Sequence, residues 1–231
     1  LQFEGVSGIR ERGLADPAGY TVIGFAYSLL AQAAGIAMPQ TLLLEEGGRR
    51  HFMVRRFDRT DGGVKLHLQS LAGLAHLDFN QPDANSYEQA FDAIRRLGLG
   101  PDAAEEQFRR MTFNIVARNQ DDHVKNIAFL MDRRGAWSLS PAFDLTYAYN
   151  PAGAWTGRHQ MSVNGRRDGF TRADLRACAR TASLKQRRAD AILDEVVAAV
   201  AEWPRVAEGV GVREDHIRRI GATLRLELPR A

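Results

Sequence analysis

Apolar positions recur at helical spacing early in the chain and predict a first helix. They are Tyr20, Ile23, Ala26, Tyr27, Leu30 and Ala34. Asp16 and Pro17, just ahead of them, are typical of an N-cap followed by a first-turn proline, and Gly35 is typical of a C-terminal stop. The pattern therefore predicts a helix that runs from about residue 17 to residue 34.

Two short apolar runs follow this helix and predict a β-hairpin. They cover residues 41–45 and 51–54, and they flank the turn-forming pair Gly47-Gly48. A helix followed by a hairpin predicts part of a small α/β lobe.

From about residue 64 the pattern becomes mainly helical. Ser86 followed by Gln89, and Thr171 followed by Asp174, are typical of capping boxes at helix starts. An apolar stripe of Phe108, Met111, Ile115 and Val116 predicts a further helix. This helix is expected to end just before residue 119. Near the C-terminus, amphipathic helices are predicted over 171–180, 184–202 and 213–226.

A second hairpin is predicted within this helical part, from apolar runs at 127–130 and 137–139 that surround a turn at Gly135. The whole pattern predicts an α/β (α+β), mainly helical chain of two lobes. Residues 1–63 are predicted to form a partial small lobe that ends in a hinge near 57–64, and residues 64–231 a helical lobe.

Composition places the 231-residue chain among ordinary globular proteins, with 45% hydrophobic and 26% charged residues. A net charge of +3 is too small to indicate nucleic-acid binding. No run approaches the roughly 18 apolar residues of a membrane span, and no signal peptide is visible. The single cysteine, Cys178, excludes an internal disulfide and favours a reducing cytoplasm, with the thiol buried in a helix.

The positive charges are concentrated on both sides of one acidic segment. They are Arg109, Arg110, Arg118, Lys125, Arg133, Arg134, Arg158, Arg166 and Arg167. A solvated rim and attraction of a phosphate-rich ligand explain this cluster equally well.

The acidic segment itself, residues 119–126, carries the candidate chemistry. Asp121 and Asn126 are five positions apart, the spacing of the proton-accepting Asp and the metal-binding Asn in a protein-kinase catalytic loop. A second acid, Asp144, follows the predicted hairpin, where kinases place another magnesium ligand. Carboxylate and amide oxygens are the hard ligands that Mg²⁺ prefers. Lys125 is a candidate to neutralise charge on a transferred phosphoryl group.

Two residues of this segment, His123 and Asp122, can each be interpreted in two ways. His123 is a candidate cofactor contact, although we favour a hydrogen bond that organises the loop. Asp122 is equally well explained as a solvent-facing carboxylate and as a functional one. Taken alone, an Asp-Asp-His segment also stabilises turns and caps helices, so the prediction depends on the ordered set of Asp121, Asn126 and Asp144.

These residues resemble HipA-type serine/threonine kinases, the toxin half of bacterial toxin–antitoxin modules. The matching segments are 31–36, 56–59, 119–130, 137–145, 161–165 and 171–175, in collinear order from about residue 20 to the C-terminus. The resemblance implies a two-lobed, protein-kinase-like HipA fold with an incomplete N-terminal lobe and an intact C-terminal lobe. It also implies dependence on ATP and Mg²⁺.

The resemblance implies, by position, that Asp121 is the catalytic base and that Asn126 and Asp144 bind magnesium. It places Arg55 and Phe57 in the hinge strand beside the adenine. Relatives phosphorylate protein hydroxyls, including one on an aminoacyl-tRNA synthetase, and are restrained by a small DNA-binding antitoxin. A HipB-like antitoxin and a protein substrate are therefore the expected partners, with no membrane and no direct nucleic-acid contact.

The chain departs from these relatives in its N-terminal part. No lysine precedes Lys65, and Gly24 stands where relatives tend to carry a glutamate. The lysine–glutamate pair that anchors ATP is therefore missing. Because the chain begins with Leu1, we expect residues upstream of it.

The alternative to an active kinase is a truncated, catalytically impaired module that binds an antitoxin or another protein. Metal-dependent phosphoester hydrolysis is a third class and requires further His or Asp ligands nearby.

Overall fold

The computed structural model describes residues 19–230. The helices are α1 (Tyr20–Ala33), α2 (Leu71–Ala75), α3 (Tyr87–Arg96), α4 (Pro101–Val116), α5 (Arg172–Thr181), α6 (Gln186–Ala201), α7 (Trp203–Gly209) and α8 (Glu214–Gly221), with a single 3-10 turn at Pro82–Ala84. The strands are β1 (Thr41–Glu46), β2 (Arg49–Val54), β3 (His67–Ser70), β4 (Ala128–Met131) and β5 (Trp137–Leu139). Within residues 19–230, none of these helices combines the length and apolar character that crossing a membrane requires.

The predicted first helix and first hairpin are both confirmed. α1 ends one residue before Ala34, and Gly35 follows with a positive φ of 78°. The predicted N-cap at Asp16-Pro17 lies outside the described residues. Strands β1 and β2 pair antiparallel, with Leu43 opposite Phe52. Phe52 packs towards α1, where its ring lies 6.3 Å from that of Phe25.

The predicted second hairpin is confirmed as β4 and β5, but it belongs to a larger sheet. Strand β3 pairs antiparallel with β4, so the sheet has the order β3-β4-β5. Strand β3 was not predicted, because the pattern after about residue 64 was interpreted as mainly helical. Its four residues contain only one apolar side chain, Leu68, which is 39% exposed. The strand therefore depends on backbone hydrogen bonds to β4, a long-range pairing that local apolar periodicity does not report.

Both predicted capping boxes are confirmed. At α3 the Ser86 hydroxyl accepts from the Gln89 N–H, while the Gln89 side chain accepts from the Ser86 N–H at 2.8 Å. At α5, Thr171 and Asp174 make the same reciprocal pair. These bonds satisfy N–H groups that a helix start otherwise leaves without partners.

The predictions at the C-terminus are less accurate. α6 agrees with its predicted range within two residues. Helix α7 was not predicted, and α8 ends at Gly221 instead of continuing to 226. Beyond Gly221 the chain runs across the surface of the helices, where Arg225 N–H donates to the Val116 carbonyl at 2.9 Å. That contact competes with helical hydrogen bonding and ends α8 early.

One hydrophobic core includes α1 together with the helices that follow residue 64. Tyr27 of α1 is fully buried, and its hydroxyl donates to the Ala117 carbonyl at 2.7 Å. The Tyr27 ring also meets the buried Trp203 ring of α7 at 5.3 Å. The apolar face of α1 is therefore covered by the helical part of the chain as well as by the hairpin. A division into lobes at residue 63 stays a prediction.

Two arginines of the basic cluster have neither of the roles considered for it. Arg109 and Arg110 are buried in α4. Arg109 donates to the Ala34 carbonyl at 2.8 Å. Arg110 donates to the Ser140 carbonyl at 2.8 Å and pairs with Glu106. Both therefore fasten α4 to neighbouring segments, and neither is part of a solvated rim or a free phosphate-binding group.

Candidate functional site

A cleft of about 720 Å³ brings most of the predicted site residues together. Its lining consists of Gly24, Met38, Phe52, Val54, Asn119, Asp121, His123, Lys125, Asn126, Phe143, Asp144, Leu145 and Thr146. One part of the lining comes from α1, β2 and the segment between α1 and β1, and it is apolar. The other part comes from the acidic segment 119–126 and from residues 143–146, and it carries the charges.

Hydrogen bonds join the two acid-bearing segments to each other. The Gln120 N–H donates to the Ala148 carbonyl at 3.2 Å, and the Ala148 N–H donates to the Arg118 carbonyl at 3.1 Å. The buried Asn119 amide donates to the Asn114 side chain at 2.9 Å and to the Asp144 carbonyl at 3.3 Å. These contacts hold the loop of Asp121 and the loop of Asp144 on the same side of the cleft.

The amide of Asn126 is oriented by the turn that precedes it. Its backbone N–H donates to the His123 carbonyl at 2.8 Å, and its side-chain NH₂ donates to the Asp121 carbonyl at 3.0 Å. This orientation leaves the Asn126 Oδ1 atom available to a ligand. Asp121, Asn126 and Asp144 thus line one cleft. The oxygen atoms of Asn126 and Asp144 are of the kind that suits a hard divalent cation sharing phosphate oxygens.

The electrostatics of Asp144 also favour a cation at this place. Asp144 adopts a left-handed backbone conformation, with φ 53°. Withdrawal of its carboxyl from bulk water raises its pKa; nearby His123 opposes this rise, and Asp121 adds to it. The carboxylates of Asp121 and Asp144 therefore repel each other, and a cation bound beside them would relieve that repulsion.

Asp122 is not a solvent-facing carboxylate, which was one of its two interpretations. Its side chain is 1% exposed and accepts three hydrogen bonds. The donors are the Tyr87 hydroxyl, His159 Nδ1 and the Gln160 N–H, each at 2.8 Å. Burial by itself would raise the pKa of Asp122, but His159, Tyr87 and the Gln160 N–H together hold it below its usual range.

His159 connects this buried carboxylate to the C-terminal segment. Its Nε2 atom lies 2.9 Å from Arg225 Nη1. Because a guanidinium can only donate, Nε2 must accept, and the ring proton therefore lies on Nδ1, facing Asp122. The network of Tyr87, Asp122 and His159 could not be predicted from the sequence. The three residues are dispersed along the chain, and no local spacing signals their contact.

Lys125 and His123 share an aromatic neighbour. Lys125 Nζ lies 3.2 Å from the centroid of the Phe79 ring, a cation–π contact. The His123 ring meets the same phenyl group edge-on at 6.2 Å. His123 Nε2 is 3.8 Å from Asp121 Oδ1, and its Nδ1 has no hydrogen-bond partner among residues 19–230. The favoured loop-organising hydrogen bond of this side chain is therefore not formed there.

Arg55 and Phe57 do not contribute to the lining of the cleft. Strand β2 ends at Val54, and the exposed Arg55 pairs with Asp61. The Phe57 ring packs at 5.6 Å against that of Phe143, the residue before Asp144. Phe57 thus contacts a residue of the lining without itself lining the cleft. The expected placement of both residues beside an adenine stays a prediction.

Comparison with known proteins identifies relatives for most of this chain. The model of the HipA-like C-terminal domain family matches residues 18–203. Two proteins of Sinorhizobium fredii (strain NBRC 101917 / NGR234), Y4dM and Y4mE, carry names that describe them as candidate kinases. Each is 29% identical, over 136 and 133 residues respectively, or 52% of this chain. The matched parts are only 32% and 31% of those proteins.

Among solved structures, the chain is similar to HipA of Shewanella oneidensis MR-1, determined in a complex with HipB and its operator DNA. The TM-score is 0.72 at 17% identity, and the match covers 88% of this chain and 54% of that one. At this identity the likeness concerns the fold. It agrees with the predicted kinase-like HipA fold, and it also shows that the chain spans about half of that relative.

Proposed function

The chain belongs to the HipA-like C-terminal domain family, and from this premise we propose that it is the catalytic region of a serine/threonine protein kinase. The reaction is transfer of the ATP γ-phosphoryl group to a protein hydroxyl, with Mg²⁺ as cofactor. The observation that carries the proposal is the convergence of Asp121, Asn126 and Asp144 on one cleft.

Each of these side chains has a role that its position supports. Asp121 is 52% exposed and free to accept the proton of an incoming hydroxyl. Asn126 Oδ1 and the Asp144 carboxylate would hold magnesium against the nucleotide phosphates. Lys125 lines the same cleft and would offset negative charge on the transferred group. The apolar lining from Met38, Phe52 and Val54 suits the flat ring of a nucleotide base.

A second function is favoured by the N-terminal side of the cleft. Gly24 lines it without a carboxylate, and the lysine among the lining residues, Lys125, comes from the acidic segment and not from this side. The second candidate is therefore a kinase-like module with weak nucleotide binding that acts by binding a protein. In either case we propose a HipB-like, DNA-binding antitoxin as partner, because the Shewanella oneidensis HipA structure contains HipB.

Isothermal titration of the chain with ATP, with and without Mg²⁺, tests the first proposal. We expect magnesium-dependent binding that Asp144→Asn weakens by about tenfold or more, because it removes a charged metal ligand. Asp132→Asn is the matched control: its carboxylate accepts N–H groups in the β4–β5 turn, away from the cleft. Equal binding with and without Mg²⁺ would contradict the proposed cofactor role.

Phosphotransfer then separates the two candidates. If the chain is an active kinase, the Asp121→Asn variant should lose phosphoryl transfer but still bind ATP. The reason is that Asp121 accepts the proton of the acceptor hydroxyl and is not assigned to the metal. A chain that binds a protein partner without any transfer dependent on Asp121 is the impaired module instead.

A further inference from the structure

A second cavity, of about 530 Å³, opens beside the acidic segment. The residues of its lining that bear on ligand recognition are Asn80, Asp83, Trp155, Arg158 and Arg167. Trp155 is 54% exposed, which leaves its large apolar side chain accessible to a ligand of the cavity. None of the residues that line this cavity also lines the cleft of Asp121, Asn126 and Asp144, which is the proposed nucleotide site (the nucleotide cleft). The proposed nucleotide binding therefore gives this cavity no role.

Hydrogen bonds attach one wall of this cavity to both neighbours of Asp121. The Gln120 side chain donates to the Thr156 carbonyl at 3.1 Å, and the Gln160 N–H donates to the buried Asp122 carboxylate at 2.8 Å. Segment 150–160 is therefore held directly against the loop that carries the proposed base.

The part of the cavity wall that contains Asn80 also lies next to the loop of Asp121. Asn80 follows Phe79, and the Phe79 ring lies 3.2 Å from Lys125 Nζ. The cavity thus continues the surface on which an acceptor hydroxyl would approach Asp121. A protein segment that presents its hydroxyl there would extend its neighbouring residues into the cavity.

The walls are preformed. The Gly157 N–H donates to the Gly153 carbonyl at 3.1 Å, and the Asn150 N–H donates to the Thr156 carbonyl at 3.3 Å. A Cβ atom at Gly157 would meet the Gly153 carbonyl oxygen at 2.8 Å, so the backbone there is closely packed. A surface that is already ordered costs a ligand less conformational entropy on binding.

The charges in the cavity define what it can recognise. Arg167 is neutralised by its ion pair with Asp83 and donates to the His159 carbonyl. Arg158 is exposed and forms no ion pair within residues 19–230. A free guanidinium beside an exposed indole is suited to a carboxylate next to an apolar or aromatic side chain.

From this geometry we infer that the cavity docks an extended segment of the substrate protein that carries an Asp or Glu close to the acceptor serine or threonine. The inference rests on the proposed kinase function and adds the substrate class to it. Nucleic acid fits less well, because Arg158 offers one unpaired charge, whereas a polyanion needs several, and the adjoining loop is acidic.

Fluorescence anisotropy with labelled peptides tests the inference without nucleotide. One peptide pool has a central serine with Asp or Glu at each flanking position in turn, and a matched pool has Lys at those positions. A single-stranded DNA oligonucleotide is the third probe. The proteins are the 231-residue chain and its Arg158→Glu, Trp155→Ala and Arg133→Glu variants. Arg133 is also an exposed arginine, lies in the β4–β5 turn outside the cavity lining, and serves as the matched control.

We expect acidic peptides to bind the chain and the Arg133→Glu variant equally. Arg158→Glu should weaken that binding about five- to tenfold and improve binding of the lysine pool, because it reverses the sign of the recognising charge. Trp155→Ala should weaken both pools. The inference is wrong if neither pool binds, if Arg158→Glu leaves the preference for acidic residues unchanged, or if the oligonucleotide alone shows binding that depends on Arg158.

A calorimetric titration of Arg158→Glu with ATP and Mg²⁺ keeps this test apart from that of the kinase function. Arg158 is outside the nucleotide cleft, so we expect ATP affinity to be unchanged. Acidic-peptide binding that depends on Arg158 in a chain that fails to bind ATP would retain the docking surface and reject the kinase function. ATP binding without any peptide preference would do the reverse.

Discussion

At the scale of single residues, Asp121 and Asp122 show how burial separates two adjacent and chemically identical side chains. Asp121 is 52% exposed and lines the cleft. Asp122 is 1% exposed and accepts hydrogen bonds from Tyr87, His159 and Gln160. Asp122 therefore anchors the loop, and Asp121 remains available for chemistry.

Replacing Asp122 by Asn should destabilise the protein at neutral pH. All three partners of Asp122 donate to it, so the new NH₂ group would face a donor in either amide orientation: the Gln160 N–H in one, the Tyr87 hydroxyl and His159 Nδ1–H in the other. We expect the free energy of unfolding at pH 7 to fall by about 2–4 kcal/mol, because charge-assisted hydrogen bonds are lost within a buried site. Urea denaturation followed by circular dichroism measures this change, with the exposed Asp102→Asn as the control.

The same variant should also change how stability depends on pH. The pKa of Asp122 is lowered in the folded protein, so its contribution is present above the unfolded pKa of about 3.9 and is lost as the pH falls through the folded pKa. We therefore expect the difference between wild type and Asp122→Asn to narrow below about pH 4. A difference that stays constant down to pH 3 would show that the carboxylate charge is not what stabilises the loop.

At the scale of elements, α1 contains a glycine in its interior where a side chain could fit. A Cβ atom at Gly24 would lie 3.6 Å from the Phe52 ring and 3.8 Å from Thr146 Oγ1, which are ordinary contact distances. The backbone there is helical, so alanine meets no conformational penalty. Gly35, just beyond the helix, differs because its φ is 78°.

Gly24→Ala should therefore raise the free energy of unfolding by about 0.5–1 kcal/mol, through lower entropy of the unfolded chain and better helix propensity. Gly35→Ala should lower it by about 1 kcal/mol or more, because alanine is strained at positive φ. Thermal denaturation of both variants measures the two effects. If Gly24→Ala is destabilising, the Phe52 side chain does not leave the space that the structure shows.

At the scale of the whole molecule, the position of α1 joins the hairpin part to the helical part. Tyr27 contacts the Ala117 carbonyl after α4 and the Trp203 ring of α7. The core that contains these residues continues on both sides of residue 63. Unfolding of one part would expose the apolar surface of the other, so the described residues should unfold together.

Trp203→Ala tests this coupling, because it removes a fully buried ring that contacts α1. We expect a loss of about 3–5 kcal/mol in the free energy of unfolding, with urea transitions by far-ultraviolet circular dichroism and by tryptophan fluorescence that still coincide. Trp155→Ala, at an exposed tryptophan, is the control. Two separate transitions in the wild-type chain would instead support independent lobes divided near residue 63.

Sequence patterns predicted the elements whose signals are local. The two hairpins, the capping boxes at Ser86 and Thr171, and the end of α1 before Gly35 all depend on residues within a few positions of each other, and all are confirmed. Strand β3 and the early end of α8 were missed, because each depends on hydrogen bonds to a distant segment.

For the candidate site, the sequence by itself determined which residue types are present and in what order, so the set of Asp121, Asn126 and Asp144 and its family resemblance were available from it. Only the tertiary structure decided which neighbouring acid is buried, that Arg109 and Arg110 fasten α4, and that Trp155 and Arg158 share a cavity. Burial and contact between distant residues arise when the core forms. Local spacing carries the chemistry of a side chain, but its environment is a property of the folded chain.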